Sequence, residues 1–145
     1  MAFVAADAGA TNLLGDVVLC IGAAHAFGDT DRALAELGRR VTAGGAVLFG
    51  DGFWERGAST EAIELFGPLK RWDELFAAAA IAGYMVVGAE RSTQEEWDTF
   101  EDLWLAGPLG SADPDIRATA EERARQYREV YRGILGFAWL MLKPE

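Results

Sequence analysis

The sequence predicts an α/β chain built around a largely parallel sheet. Two segments carry most of that expectation. "DVVLCI" at 16–21 and "AVLFG" at 46–50 are apolar runs without alternation, the pattern of strands covered on both faces. Between them Ala33, Leu34, Leu37 and Val41 recur at helical spacing. Strand, helix, strand in that order implies a right-handed parallel crossover.

The elements follow in order. "AFVAA" at 2–6 is a short strand candidate ending at Asp7. After "DVVLCI", Asp29 or Thr30 can cap the first helix, and "AGG" at 43–45 stops it. Ser59 caps a short helix, "TEAIELF", that ends near Gly67-Pro68. A second helix at 71–82 stops at Gly83, and "YMVVGAER" at 84–91 is the next strand. Thr93 and Glu96 form a capping box ahead of a helix whose Trp97, Phe100 and Trp104 share a face. "AGPLGSADP" breaks the chain, and Asp113 caps a further helix with Pro114 at its first position. Ile116, Ala120, Ala124, Tyr127, Tyr131 and Leu135 give that helix an apolar stripe. "ILGFAWLMLK" at 134–143 is the last strand, bounded by Pro144. No repeat and no long linker divides the chain, so residues 1–145 are expected to be one domain.

Composition narrows the function. The chain has 51% hydrophobic residues and 25% charged ones, which suits a packed globule. Its longest apolar runs, such as "FAAAAIAGY", fall short of the about 20 residues a membrane span needs, so no membrane role is expected. A net charge of −10 repels polyanions, which argues against nucleic acid as a partner. The arginines at 117, 123, 125, 128 and 132 alternate with Glu121, Glu122 and Glu129, the pattern of a solvated mixed-charge helix. One cysteine, Cys20, excludes an internal disulfide and fits a reducing cytoplasm. With one Cys and one His, no metal site is expected.

In an open parallel sheet, ligands bind beyond the carboxyl ends of the strands. Three loops qualify. Asp7 could accept a hydrogen bond from a ligand amine or cap its own turn. Gly22, Ala23 and Ala24 could admit a ligand to the backbone or allow close helix packing. His25, in the same loop, could be a general base, a substrate partner or a structural group. "GDGFWERG" at 50–57 offers Asp51, Phe53, Trp54 and Glu55: either walls for an organic substrate or a loop packed on the helices behind it. The Trp97, Phe100 and Trp104 stripe reads as core rather than pocket wall. Neighbouring acids such as Glu95 and Glu96 read as solvated helix faces. No nucleophile or phosphate-loop motif is present.

Taken together, "FVAADA", "DVVLCIGAAHAFG" and "LAELGRRVTAGGAVLFGDGFWER" resemble the third to fifth strands of the class I S-adenosylmethionine-dependent methyltransferases. "AGYMVVGAERSTQEEWDTFEDLW" and "YRGILGFAWLMLKP" resemble that family's sixth strand, a helical insertion and its antiparallel seventh strand. The resemblance implies a Rossmann-like sheet, incomplete, and methyl transfer from S-adenosylmethionine to a small organic acceptor. It implies that Asp7 and Ala8 sit beside the adenine, and that Ile21, Gly22 and Ala23 line the methionine end of the cofactor. It places His25, Asp51, Phe53 and Trp54 toward the acceptor, with the helices at 93–132 as part of a lid.

The family's first strand, glycine-rich loop and ribose-binding acid have no counterpart in the sequence, which therefore resembles the C-terminal part of a methyltransferase. Without that first strand, "DVVLCI" lacks its neighbour. Three outcomes follow: an exposed apolar edge, "AFVAA" moving in beside it, or a second chain covering it. The second chain could be an identical copy or an N-terminal half-chain. A remnant that binds partners through the open edge, without catalysis, is the alternative function.

Overall fold

The structure, a computed structural model, describes residues 4–145. The chain runs β1 (Gly15–Ile21), a 3₁₀ turn (Ala24–Phe27), α1 (Thr30–Gly38), β2 (Val41–Trp54), α2 (Thr60–Phe66) and α3 (Trp72–Ile81). It continues through β3 (Tyr84–Arg91), α4 (Gln94–Leu109), α5 (Pro114–Gln126), a π-helical turn (Tyr127–Tyr131) and β4 (Leu135–Pro144). One sheet forms in the order β1-β2-β4-β3. β1 and β2 are parallel, and β4 enters antiparallel between β2 and β3.

Local chemistry sets most helix starts. Asp29 accepts the Arg32 amide at 2.8 Å and caps α1, while the Thr30 hydroxyl turns to Asp51 instead. Ser59 caps α2, Thr93 and Glu96 close the capping box of α4, and Asp113 caps α5 with Pro114 first. α4 runs on through Pro108 to Leu109 rather than ending before "AGP". Pro108 has no amide to give the Trp104 carbonyl, so the helix carries one missing bond and ends a residue later.

Sheet pairing overrides helical spacing at two places. Val41, expected on the stripe of α1, is the first residue of β2 and pairs with Gly15. The helix ends at Gly38, and Arg40 anchors the reversal through Glu36 and the Gly9 carbonyl. "AGG" lies inside β2. A side chain at Gly45 would sit 2.6 Å from the Asp16 carbonyl oxygen, so the two strands meet only because it has none. At its other end β2 continues through "DGFW" to Trp54, so those residues are strand, not loop.

The core lies on one face of the sheet. Cys20, Val47, Phe49, Ala138, Leu140 and Leu142 pack there against Leu34 and Leu37 of α1 and Leu75, Ala78 and Ala79 of α3. Tyr84 is buried with them and donates to the Leu34 carbonyl at 3.0 Å. Burial pushes its phenol up to about 12. Its neutral form is therefore the one the fold favours, and its contribution is lost as pH climbs from about 10 toward that value. Tyr84→Phe is expected to cost about 1 kcal/mol in urea denaturation at pH 7, and an unchanged midpoint would count against the bond.

The opposite face is bare at the β1 side. Val17 and Leu19 are 65% and 64% exposed, and Ile21, Met85 and Met141 are exposed too. "DVVLCI" is thus covered on one face only, and β1 is also an edge of the sheet, paired with β2. Val4–Ala6 form no strand, so they do not cover that edge; the rest of the "AFVAA" candidate, residues 2 and 3, lies outside the described residues. Two smaller clusters complete the packing. Trp54, Ala62, Tyr127, Val130, Tyr131 and Leu135 join α2, the π turn and the ends of β2 and β4. Leu105, Ala120 and Ala124 join α4 to α5. Two positions of the expected α5 stripe lie elsewhere: Ile116 is exposed, and Leu135 begins β4.

Candidate functional site

The parallel strands β1 and β2 deliver their carboxyl ends side by side. At the exit of β1, Gly22 has φ of 62°, a conformation that costs a side-chain-bearing residue energy. Its amide donates to the Gly50 carbonyl at 2.7 Å, tying the exit to β2. Ile21 and Gly22 are exposed, so the backbone here is open to a ligand. The chain then enters the 3₁₀ turn, which buries Ala24 and exposes His25.

Asp51 lies on the helix side of β2 near this turn. It accepts from the Thr30 hydroxyl at 3.1 Å and from the Gly52 amide at 3.0 Å. Burial nonetheless raises its carboxyl above the ordinary range, while those bonds and the charge of His25 pull it back. Cys20 is raised by burial and by the Asp51 charge. For Asp51 the folded value lies above the unfolded one. Its protonated form fits the fold best, so its contribution is greatest in acid and fades as pH rises through the folded value. Asp51→Asn is therefore expected to be more stable than the parent at pH 7 and no different at pH 3. Urea midpoints at the two pH values check this, and a less stable variant at pH 7 would refute it.

On the other face of the sheet, beside Gly22, lies a cavity of about 490 Å³. Ile21 and Gly22 form one wall, and Phe137 and Trp139 of β4 form the floor. Trp97 and Phe100 of α4 line it from the helix side, with Ser92 and Glu96 as its polar groups. The floor depends on Gly50: a methyl group there would meet the Phe137 ring at 2.9 Å. Phe137 and Trp139 stack edge to face at 5.1 Å, and Trp97 and Phe100 at 6.0 Å. The Trp139 indole donates to the Ser92 hydroxyl at 3.1 Å, which fixes the ring.

α4 is held over this cavity by two polar networks on its far side. Glu101, 1% exposed, accepts two bonds from Arg123 at 2.8 Å and one from Tyr131 at 3.0 Å. Asp98 accepts from Arg132, Tyr127 and Gln94, and the Arg132 bonds hold its carboxyl well below the usual range. Arg125 pairs with Glu122, Glu129 and Glu61. Three arginines of the 117–132 segment are thus bound to acids of this chain.

The structure divides the expected site residues. Ile21 and Gly22 line the cavity, with Ala23 next in the chain. His25 and Asp51 belong to the polar cluster across the β1 exit. Asp7 accepts the Gly9 amide at 2.8 Å and so caps its own turn, with Ala8 exposed in that turn. Phe53 and Trp54, which the resemblance turns toward the acceptor, do not line the cavity. Phe53 is fully buried against Trp72, and Trp54 is buried against Phe66, because β2 carries both into the packed interior.

The Trp97, Phe100 and Trp104 stripe is core only in part: Trp97 packs against the Trp54 cluster, whereas Phe100 and Trp104 are exposed. Its first two rings line the cavity, and Trp104 is 41% exposed with Arg123 over its ring. Phe137, Trp139 and Ser92 went unnoticed in the sequence, and Glu96 was read only as a cap and a solvated acid. The available signal was alternation in "FAWLML", where Phe137, Trp139 and Met141 take the face opposite Ala138, Leu140 and Leu142. Among the described residues, no group of three or more His, Cys, Asp or Glu side chains could hold a metal ion. Nor is any described helix long and apolar enough to cross a membrane.

No family model matches the chain, and no curated protein does either. Solved structures do. An S-adenosylmethionine-dependent methyltransferase from Geobacter sulfurreducens, in complex with S-adenosyl-L-homocysteine, superposes with TM-score 0.80 at 23% identity over 99% of this chain and 64% of that one. One from Thiobacillus denitrificans, also in complex with S-adenosyl-L-homocysteine, gives 0.75 at 24% identity, over 99% and 64%. The cyclopropane synthase MmaA2 of Mycobacterium tuberculosis gives 0.65 at 15% identity, over 91% and 56%. The chain thus spans 64% of the length of the two methyltransferases. These likenesses establish the fold: the Rossmann-like class I methyltransferase fold, with four of its strands in this chain.

Proposed function

We propose that this chain forms the acceptor side of an S-adenosylmethionine-dependent methyltransferase acting on a small organic molecule. The observation that carries this is the aromatic cavity beside Gly22, at the carboxyl end of β1, in a methyltransferase fold. The residues present fit one end of the cofactor. Ile21, Gly22 and Ala23 would hold its methionine end, because Gly22 leaves the backbone open: a side-chain carbon there would meet nothing nearer than Phe137 at 4.0 Å. Asp7 and Ala8 would lie toward the adenine, and one Asp7 oxygen already serves the Gly9 amide. When bound, the cofactor supplies a methyl group activated by the positive sulfur.

Transfer of such a group needs orientation more than covalent help, which suits a site without a nucleophile motif. Trp97, Phe100, Phe137 and Trp139 orient the acceptor against their rings. His25, exposed at the turn that follows Gly22, would take the acceptor's proton. The test is calorimetric titration with S-adenosylhomocysteine. One saturable site per chain is expected, and no heat at millimolar ligand would sink this reading.

A second reading rests on the bare edge of β1. β1 ends the sheet, so its outer backbone edge suits addition of a strand from another polypeptide, either a second copy or an N-terminal half-chain, with Val17 and Leu19 as apolar contacts on its bare face. On that reading the chain is an interaction module, with or without catalysis. Sedimentation of the chain at micromolar concentration tests self-association, and a monomer only would remove the second copy. The single buried cysteine suits residence in the cytoplasm.

A further inference from the structure

The geometry points to an acceptor that carries an organic ammonium group, seated in the aromatic cavity with Glu96 at its rim. This rests on the methyltransferase reading above and names its substrate class. Among the described residues that line the cavity, four are aromatic and Ile21 is the one large aliphatic. Such walls bury apolar surface as aliphatic ones do. Aromatic walls offer something aliphatic ones cannot: ring faces with negative charge density that attract a desolvated cation.

The rings are also held in place. Phe137 and Trp139 pack edge to face, and so do Trp97 and Phe100, one pair on the floor and one on the helix side. The Trp139 indole is fixed by Ser92. Such pre-ordering lowers the cost of enclosing a ligand. Glu96 supplies the charge. One of its carboxylate oxygens takes the Thr93 amide at 2.7 Å and the Thr93 hydroxyl at 3.2 Å, and the other has no bond within the capping box. Glu95 and Glu96 together offset the positive end of α4, which would otherwise oppose a cation. The chain's net charge of −10 favours the approach of a cation over that of an anion.

The experiment compares choline with its uncharged isostere, 3,3-dimethylbutan-1-ol, in titrations of the whole chain followed by calorimetry and tryptophan fluorescence. Choline is expected to bind about tenfold more tightly. Glu96→Gln, which keeps an oxygen for the Thr93 amide, is expected to remove roughly threefold of that preference. Phe137→Leu is expected to lower it as well. Trp139→Leu serves as a second wall variant if Phe137→Leu fails to fold by circular dichroism. Equal binding, tighter binding of the alcohol, or binding of neither overturns the inference. The S-adenosylhomocysteine titration separates this from the parent reading. Cofactor binding without a choline preference refutes the ammonium site alone, and a choline preference without cofactor binding refutes methyl transfer alone.

Discussion

Replacing Arg123 with alanine is expected to cost about 3 kcal/mol of stability at neutral pH, the loss typical of a buried acid stripped of its partner. Glu101 is almost fully buried, and Arg123 satisfies both of its oxygens. Without the guanidinium, only the Tyr131 hydroxyl remains to stabilise that charge. Arg123 itself is about a third exposed, so solvent softens the penalty from that side and keeps it at the lower end of the range. The alanine variant also uncovers the Trp104 ring, over which Arg123 lies at 4.2 Å. Urea denaturation measures the loss. The double variant Glu101→Leu, Arg123→Leu should recover most of it, because neither charge is then buried alone. A single-variant cost below about 1 kcal/mol would show that Glu101 finds relief elsewhere.

Gly136→Ala is expected to cost as much, about 3 kcal/mol, through overpacking. Gly136 faces Phe53 across the β2–β4 pair. The added methyl carbon would lie 2.5 Å from one ring carbon of Phe53 and 2.8 Å from the Glu55 side chain. The ring cannot retreat, since Phe53 is fully buried and Trp72 packs on it at 5.2 Å. Shortening the obstacle should relieve the strain. Phe53→Val combined with Gly136→Ala is expected to cost less than the sum of the single changes, a coupling that a double-mutant cycle reads directly. Additive losses would mean that the two positions do not collide.

Local features were legible in the sequence and partners distant along the chain were not. Ser59, Thr93 with Glu96, and Asp113 with Pro114 were legible because a cap is local: the residue and the amides it satisfies lie within a single turn. The parallel core strands were legible from their apolar runs. Val41 and "DGFW" were misplaced because strand length is decided by a partner distant in sequence, here Gly15 and the residues of β4. The candidate site suffered from the same limit. Gly22 and Ile21 could be located by the rule for strand ends. Phe53 and Trp54 could not be told from Phe137 and Trp139, since both pairs sit in apolar strands and only the sheet decides which pair meets a cavity. Trp97 and Phe100 show a helical face plainly, but periodicity gives no information on whether that face meets core or empty space.

The bare row of Val17 and Leu19 along β1 bears on how the chain behaves in a test tube. Its charge of −10 keeps molecules apart at neutral pH, whereas the isoelectric point lies near 4.5. Acidification toward that value removes the repulsion and leaves the apolar edge intact. A sharp solubility minimum is therefore expected there, deeper than charge neutrality alone would give. Leu19→Lys would make it shallower by interrupting the row, and turbidity measured across pH 4 to 7 for the two proteins would reveal the difference.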